Sequence, residues 1–423
     1  MATNSPKATA YRRRLIDALF DELLTELPGV MVVGPRASGK TTTLSRRAQT
    51  IVNLDAKAQA AAFEADPDAA LRALKEPVLL DEWQAVPGVY GAARRAIDED
   101  ESPNRFYLTG SVLAGDQKVH PGTGRVQPFE MYPMTVREQI GNLAGPTLFD
   151  RLADGEPIPT PKDPPDLRAY VELALRGGFP MAALHLSGRA RQAWLEGYVR
   201  NLLTHDVEQL EDEQAKKGPK RDREQLRKYF EACCLNSAGV IAHKRIYDAV
   251  PVAKATGEAY ERLLTRLLVI EEVPGWTSNR FKRLVHQRKR YMIDASLLGA
   301  VLRLDEAGVM SDSDLLGRTI DTFVAAQLRP EVPLSSTRPR LYHLRTEGGR
   351  QEIDLLAELA GEMLIAIEVK AGAAPNEREA KHLEWLHDAV GTRFVAGVVF
   401  HTGPQIYPLG DRIVAAPIAS IWS

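Results

Sequence analysis

The sequence has almost no cysteine. Cys233 and Cys234 stand side by side and are the only two in 423 residues. Adjacent thiols cannot build a disulfide framework, and two of them cannot complete a four-ligand zinc site. A reducing compartment is the simpler setting. Long apolar runs are missing too. The stretch at residues 395–400 falls far short of the roughly 20 residues that cross a bilayer. The N-terminal stretch carries basic side chains but no apolar core of signal-peptide length. The expectation is a cytoplasmic protein without a membrane partner. Net charge is also nearly absent, at -2 from 54 basic and 56 acidic residues. That excludes a uniformly basic packaging protein but leaves room for a local basic patch. There is no internal repeat and no low-complexity tract. With 44% hydrophobic and 26% charged residues, disorder is excluded as the main state. The length suits two to three domains.

What is present begins with a glycine-rich turn. Residues 11–27 carry an amphipathic helix pattern, and residues 29–33 form a short buried-strand run. Then come Gly34, Pro35, Arg36, Ala37, Ser38, Gly39, Lys40, Thr41 and Thr42. This matches G-x-x-x-x-G-K-[ST] in full. The glycines let backbone N–H groups curl around phosphate oxygens, and the following helix presents its positive end. Lys40 is expected to reach the β- and γ-phosphates of ATP, and Thr41 to ligate Mg²⁺. Further strand runs at residues 50–54, 77–80 and 105–108 alternate with helical patterns, which predicts a parallel α/β sheet. The run at 77–80 ends in Asp81 and Glu82. Asp81 is expected in the Mg²⁺ shell, and Glu82 as the group that orients or activates water. The run at 105–108 ends in Thr109, Gly110 and Ser111. Those hydroxyls either sense the γ-phosphate or form a plain turn.

On these residues the chain resembles the AAA+-type P-loop ATPases of bacteria and archaea that carry a C-terminal domain of uncharacterised function. The resemblance rests on residues 34–42, 79–84 and 105–111, on Gly124-Arg125 and on Gly177-Gly178-Phe179-Pro180, and it spans nearly the whole chain. It implies ATP binding and hydrolysis. It also implies that Arg125 is a phosphate-sensing or finger arginine, with a structural ion pair as the alternative. Trp83 departs from the usual aliphatic residue. Relatives of this kind often form rings, so a homo-oligomer is one expectation and a monomer the other.

Residues 155–166 hold five prolines in twelve positions and read as a linker or extended loop. Three domains are expected, at residues 1–150, 167–303 and 310–423. The middle one reads as helices at 226–237, 241–250 and 256–268, then an extended segment at 269–276. This region resembles the winged-helix part of the same family. A basic run at residues 280–290 contains Arg280, Lys282, Arg283, Arg288, Lys289 and Arg290 and no acid, with Phe281, Trp276 and Tyr291 interleaving or flanking it. On a wing it would neutralise phosphates, which makes DNA an expected partner. The alternative is a solvated face, or packing against the acids of residues 208–213.

The last block reads as a helix at 315–328 and strands at 340–344, 352–358, 364–369 and 394–400. Strand period puts Leu364, Ala366, Glu368 and Lys370 on one face and Ile365, Ile367 and Val369 on the other. A carboxylate and an amine in an apolar strand are costly unless paired or ligated. Asp354 on the neighbouring strand can sit beside Glu368. This block resembles the PD-(D/E)xK nuclease fold. The resemblance implies that Asp354 and Glu368 bind Mg²⁺ or Mn²⁺, that Lys370 orients water and stabilises charge, and that Asp321 on the preceding helix completes the set. The alternative is a decayed site in which Asp354, Glu368 and Lys370 form a buried ion cluster.

The sequence-based reading is therefore a three-block α/β protein: an AAA+ ATPase domain, a winged-helix middle and a nuclease-like tail that binds or processes DNA. The runner-up is a regulatory or signalling switch ATPase. Its C-terminal blocks would bind protein partners and its nuclease-like site would be inactive.

Overall fold

The computed structural model describes residues 11–111, 124–206, 222–240, 243–279 and 287–423. The first block is built on five parallel strands: β1 (Gly29–Val33), β2 (Thr50–Asn53), β3 (Val78–Asp81), β4 (Phe106–Gly110) and β5 (Val126–Glu130). Their order is β2-β3-β4-β1-β5. The strand β5 was not anticipated, because Pro128 and exposed polar neighbours mask its period. Parallel strands with helices on both faces are buried on both sides, and β3 and β4 are buried along their whole length. Alternate residues feed two cores. Val30, Val32, Leu79 and Tyr107 pack with Phe20 of the helix Leu15–Leu23, while Val78, Leu80, Phe106 and Leu108 pack with Val89 and Ala93 of the helix Gly88–Glu99. The decisive point for the site is that β4 lies between β1 and β3. The end of β4 therefore lies between the glycine-rich turn and the acids.

The middle block contains the helices Arg223–Leu235, His243–Ala249 and Lys254–Arg266, followed by the antiparallel pair β6 (Ile270–Val273) and β7 (Lys289–Met292). Cys233 and Cys234 are buried, and burial pushes both thiols up from their ordinary values. The last block holds the helix Ser313–Leu328 and a six-stranded mixed sheet. Its strands are β8 (Arg340–Arg345), β9 (Glu352–Glu358), β10 (Leu364–Val369), β11 (Phe394–His401), β12 (Tyr407–Gly410) and β13 (Ile413–Pro417), in the order β12-β13-β11-β10-β9-β8. The helix Glu377–Val390 connects the parallel pair β10 and β11. Leu364 and Ala366 pack with Leu383 of that helix, whereas Ile365, Ile367 and Val369 pack with residues of the helix Ser313–Leu328.

The proline-rich segment does not separate independent bodies. Val136, Phe149, Tyr170 and Val171 from both sides of it share one core with Phe323, Leu355, Ile367 and Trp422. Arg137 pairs with Glu331 at 2.9 Å, and the Leu148 N–H donates to the same carboxylate at 2.7 Å. Residues after β5 thus dock the first block onto the last.

Candidate nucleotide site and C-terminal ion cluster

The turn after β1 is shaped by two glycines. At Gly34 a Cβ would lie 2.1 Å from the Met131 carbonyl oxygen, so only glycine allows this approach. Gly39 has φ +101°, a conformation natural to glycine alone, and it starts the helix Lys40–Ser45. The Ser38 hydroxyl is buried with no hydrogen-bond partner among the described residues. The turn is braced from behind. Arg14 donates to the Ser38 carbonyl and to the Tyr132 carbonyl, each at 2.7 Å, and pairs with buried Glu138 at 3.0 Å.

In front of the turn lies a cleft of about 670 Å³. Arg36, Ala37, Gly39, Lys40, Thr41, Thr42, Glu82 and Ser111 line it. The Lys40 amine donates to the Gly34 and Pro35 carbonyls at 2.9 and 3.0 Å and to the Ser111 hydroxyl at 3.3 Å. Burial lowers the Lys40 pKa to about 8, against the pull of Glu82 and Asp81. The Thr41 hydroxyl donates to Asp81 Oδ1 at 2.6 Å, and Thr109 donates to the same oxygen. Ser111 donates to Glu82 Oε1 at 2.7 Å, and Gln84 donates to Glu82 Oε2. Glu82 itself is held at φ +53°. Two hydroxyls at the end of β4, Thr109 and Ser111, thus sit against the two acids at the end of β3. Gln84, Asp55, Pro180 and Met181 also line the cleft, and the sequence reading gave none of them a site role. The Gly177-Gly178-Phe179-Pro180 segment was the one available signal.

Of the two expectations for Arg125, a phosphate-contacting arginine and a structural ion pair, its surroundings match the second. Arg125 directly precedes β5, whose first residue is in register with Gly29, at the opposite end of β1 from the glycine-rich turn. There it pairs with Asp98 at 2.7 Å on the surface. It does not face the cleft of its own chain.

The basic run needs correction. Residues 280–286 lie outside the described residues. Of the remainder, Arg288 pairs with Glu272 at 2.8 Å, and Arg290 pairs with buried Glu261. Lys289 is buried and lies between Asp321 Oδ2 at 2.7 Å and Asp354 Oδ1 at 2.8 Å. The strand β7 buries Lys289 and Arg290, where acids from neighbouring elements neutralise them, while Arg288 before it stays exposed beside Glu272.

The same geometry corrects the C-terminal metal set. Asp321 and Asp354 meet around the Lys289 amine, and Glu368 is paired with Lys370 instead. Asp354 Oδ2 accepts from the Val369 N–H at 3.0 Å, and Asp321 Oδ1 accepts from the Tyr291 hydroxyl at 3.1 Å. Glu368 Oε2 pairs with Lys370 at 2.8 Å, and its Oε1 is buried with no hydrogen-bond partner among the described residues. Burial raises the Glu368 pKa, and Asp354 beside it adds to the effect. Burial acts in the same direction on Asp354, but Lys289 and Lys370 outweigh it and hold that carboxyl low. Among the described residues no group of three or more His, Cys, Asp or Glu side chains is arranged to hold a metal ion. No described helix is long and apolar enough to cross a membrane.

The AAA domain family matches residues 28–140, which span the glycine-rich turn, the acids and all five strands. That stretch is similar to AAA domains. Behind the AAA domain, residues 167–308 match a domain of unknown function, DUF8612, and residues 316–421 match another, DUF4143. Similar proteins include an uncharacterized protein of Mycobacterium tuberculosis and one of Mycobacterium bovis. Each is 27% identical over 419 residues, covering 97% of this chain and 84% of the relative. A solved structure, the Walker-type ATPase of Pyrococcus abyssi, is 16% identical. It covers 68% of this chain and 94% of its own, with a TM-score of 0.39.

Proposed function

We propose that the chain binds ATP with Mg²⁺ in the cleft of the AAA domain and hydrolyses it there. One observation carries this reading: Thr41 and Asp81 are already hydrogen bonded at 2.6 Å, so a hydroxyl and a carboxylate meet beside the Lys40 amine. Hard oxygen donors of this kind suit Mg²⁺. The buried, unpartnered Ser38 hydroxyl and the tight Gly34 turn suit phosphate oxygens. Bound Mg²⁺ would neutralise charge on the β- and γ-phosphates. Lys40 would leave its carbonyl partners for the phosphates. Glu82 would release Ser111 and accept a proton from the attacking water, while Ser111 would be free to turn toward the γ-phosphate.

The output we infer is a rearrangement of the blocks at 167–308 and 316–421. Pro180 and Met181 line the cleft and connect it directly to the middle block. A DNA-contacting output would rest on residues 280–286, since Arg288, Lys289 and Arg290 are engaged with acids. Salt-sensitive, sequence-independent affinity for duplex DNA would support that output, and no affinity at low salt would remove it.

The hydrolysis reading is tested with two variants. Lys40→Ala should abolish turnover. Glu82→Gln should keep nucleotide binding and slow turnover by about 10²- to 10⁴-fold, the usual contribution of a positioned base. Unchanged turnover in both would overturn the assignment.

A further inference from the structure

Lys289 is the most completely partnered cation of the C-terminal ion cluster. Its amine has three hydrogens to give and three acceptors within reach: Asp321 Oδ2 at 2.7 Å, Asp354 Oδ1 at 2.8 Å and the Asp354 carbonyl at 3.3 Å. The amine also lies 5.2 Å from the centre of the Tyr291 ring, and the residue is only 2% exposed. The carboxylate oxygens that Lys289 leaves free are taken by the Val369 N–H and the Tyr291 hydroxyl. Each of the four oxygens of Asp321 and Asp354 is therefore hydrogen bonded within the chain.

The backbone supports this arrangement. Tyr342 is in register with Leu356, but Leu344 is in register with Ile353, so β9 carries one residue more than β8 in this stretch. Asp354 lies at that irregularity, and a bulge re-aims side chains. Lys289 comes from β7 of the middle block, Asp321 from the helix Ser313–Leu328 and Asp354 from β9. One ammonium joins three elements across a block boundary.

We propose that Lys289 is the resident cation of this cluster: its ammonium takes the place between Asp321 and Asp354 that a divalent metal would take, and removing the amine uncovers a divalent-cation site. While Lys289 is seated, its ammonium fills the space between Asp321 and Asp354 that a metal would have to enter. Two buried carboxylates with no cation between them repel each other, and a hard divalent ion is the ligand that carboxylates of this kind would then accept. Burial opposes the Lys289 charge, but the two carboxylates outweigh it and hold the amine protonated.

The test is Mn²⁺ uptake by the full chain without nucleotide, read from the loss of the free-ion electron paramagnetic resonance signal. It is independent of whether ATP is hydrolysed. The unsubstituted protein and Asp354→Asn should take up the same amount of Mn²⁺. Lys289→Ala should take up one further ion per chain, and Lys289→Ala with Asp354→Asn should lose it. An ion bound by the unsubstituted protein and lost in Asp354→Asn would overturn the proposal. So would a Lys289→Ala variant with no added uptake. Should that variant fail to fold, Lys289→Met keeps the apolar stem and permits a stability cycle with Asp354→Asn. The combined loss in melting temperature should then be smaller than the sum of the single losses, and an additive result would equally overturn the proposal.

Discussion

The Gly178 N–H donates to Asp294 Oδ2 at 2.7 Å. This bond joins the segment that reaches the nucleotide cleft through Pro180 to the end of the strand that carries Lys289. The fit is tight on every side. A Cβ at Gly177, at φ +67°, would come within 2.3 Å of Asp294 Oδ1, and one at Gly178 within 2.1 Å of the Met134 carbonyl oxygen. Burial raises the Asp294 pKa against its bonds to Ser296 and Gly178. Asp294→Ala leaves buried N–H groups without an acceptor and should cost about 1–3 kcal/mol. Because the bond supports the cleft wall, the same variant should weaken ATP binding. Denaturant unfolding and nucleotide titration measure the two effects.

Lys40 should make nucleotide binding proton-linked. Its folded pKa of about 8 lies below the ordinary 10.5, because burial disfavours the charge. The unfolded chain therefore binds more protons between about pH 8 and 10.5, and this group's contribution to stability rises with pH across that window. Phosphates beside the amine should restore its proton. ATP binding should then take up close to one proton above pH 8 and none near pH 6.5. Calorimetry in buffers of different ionisation enthalpy reads this directly, and Lys40→Ala should remove the uptake.

Glu368 imposes a pH dependence of its own. Burial and the Asp354 charge raise its folded pKa above the ordinary 4.5. The folded chain holds the proton longer than the unfolded chain, so stability falls as pH rises from about 4.5 toward the folded value. Glu368→Gln, neutral and nearly isosteric, should flatten that decline. Its melting temperature should exceed that of the unsubstituted protein at neutral pH and approach it near pH 4.5.

Arg290 separates the structural from the DNA-binding reading of the basic run. It is buried and paired with Glu261. Arg290→Ala leaves a buried carboxylate uncompensated and should cost about 3–5 kcal/mol. If the protein binds duplex DNA, the salt slope of that affinity should be unchanged, because Arg290 neutralises no phosphate.

The sequence by itself determined the local chemistry. Glycines at 34 and 39, a lysine, two hydroxyls and the acids after an apolar strand are the residue types whose backbone freedom and charge a phosphate-binding turn requires. Period alone placed four of the five strands of the first sheet, the hairpin β9–β10 and the two faces of β10. Tertiary structure decided which charges meet. Residues 280–290 form an acid-free run in sequence, yet Lys289 and Arg290 face acids 32 and 29 positions away. Arg125 could be read as a phosphate-contacting arginine or as an ion-paired one, and parallel pairing set it at the far end of β1, beside Asp98. Asp321, Asp354 and Glu368 could be read as metal ligands or as part of a buried ion cluster, and a strand from another block placed an ammonium between Asp321 and Asp354. Local propensity and periodicity act over a few residues, whereas ion pairing acts through space. The chain order records the first directly, and only the folded arrangement fixes the second.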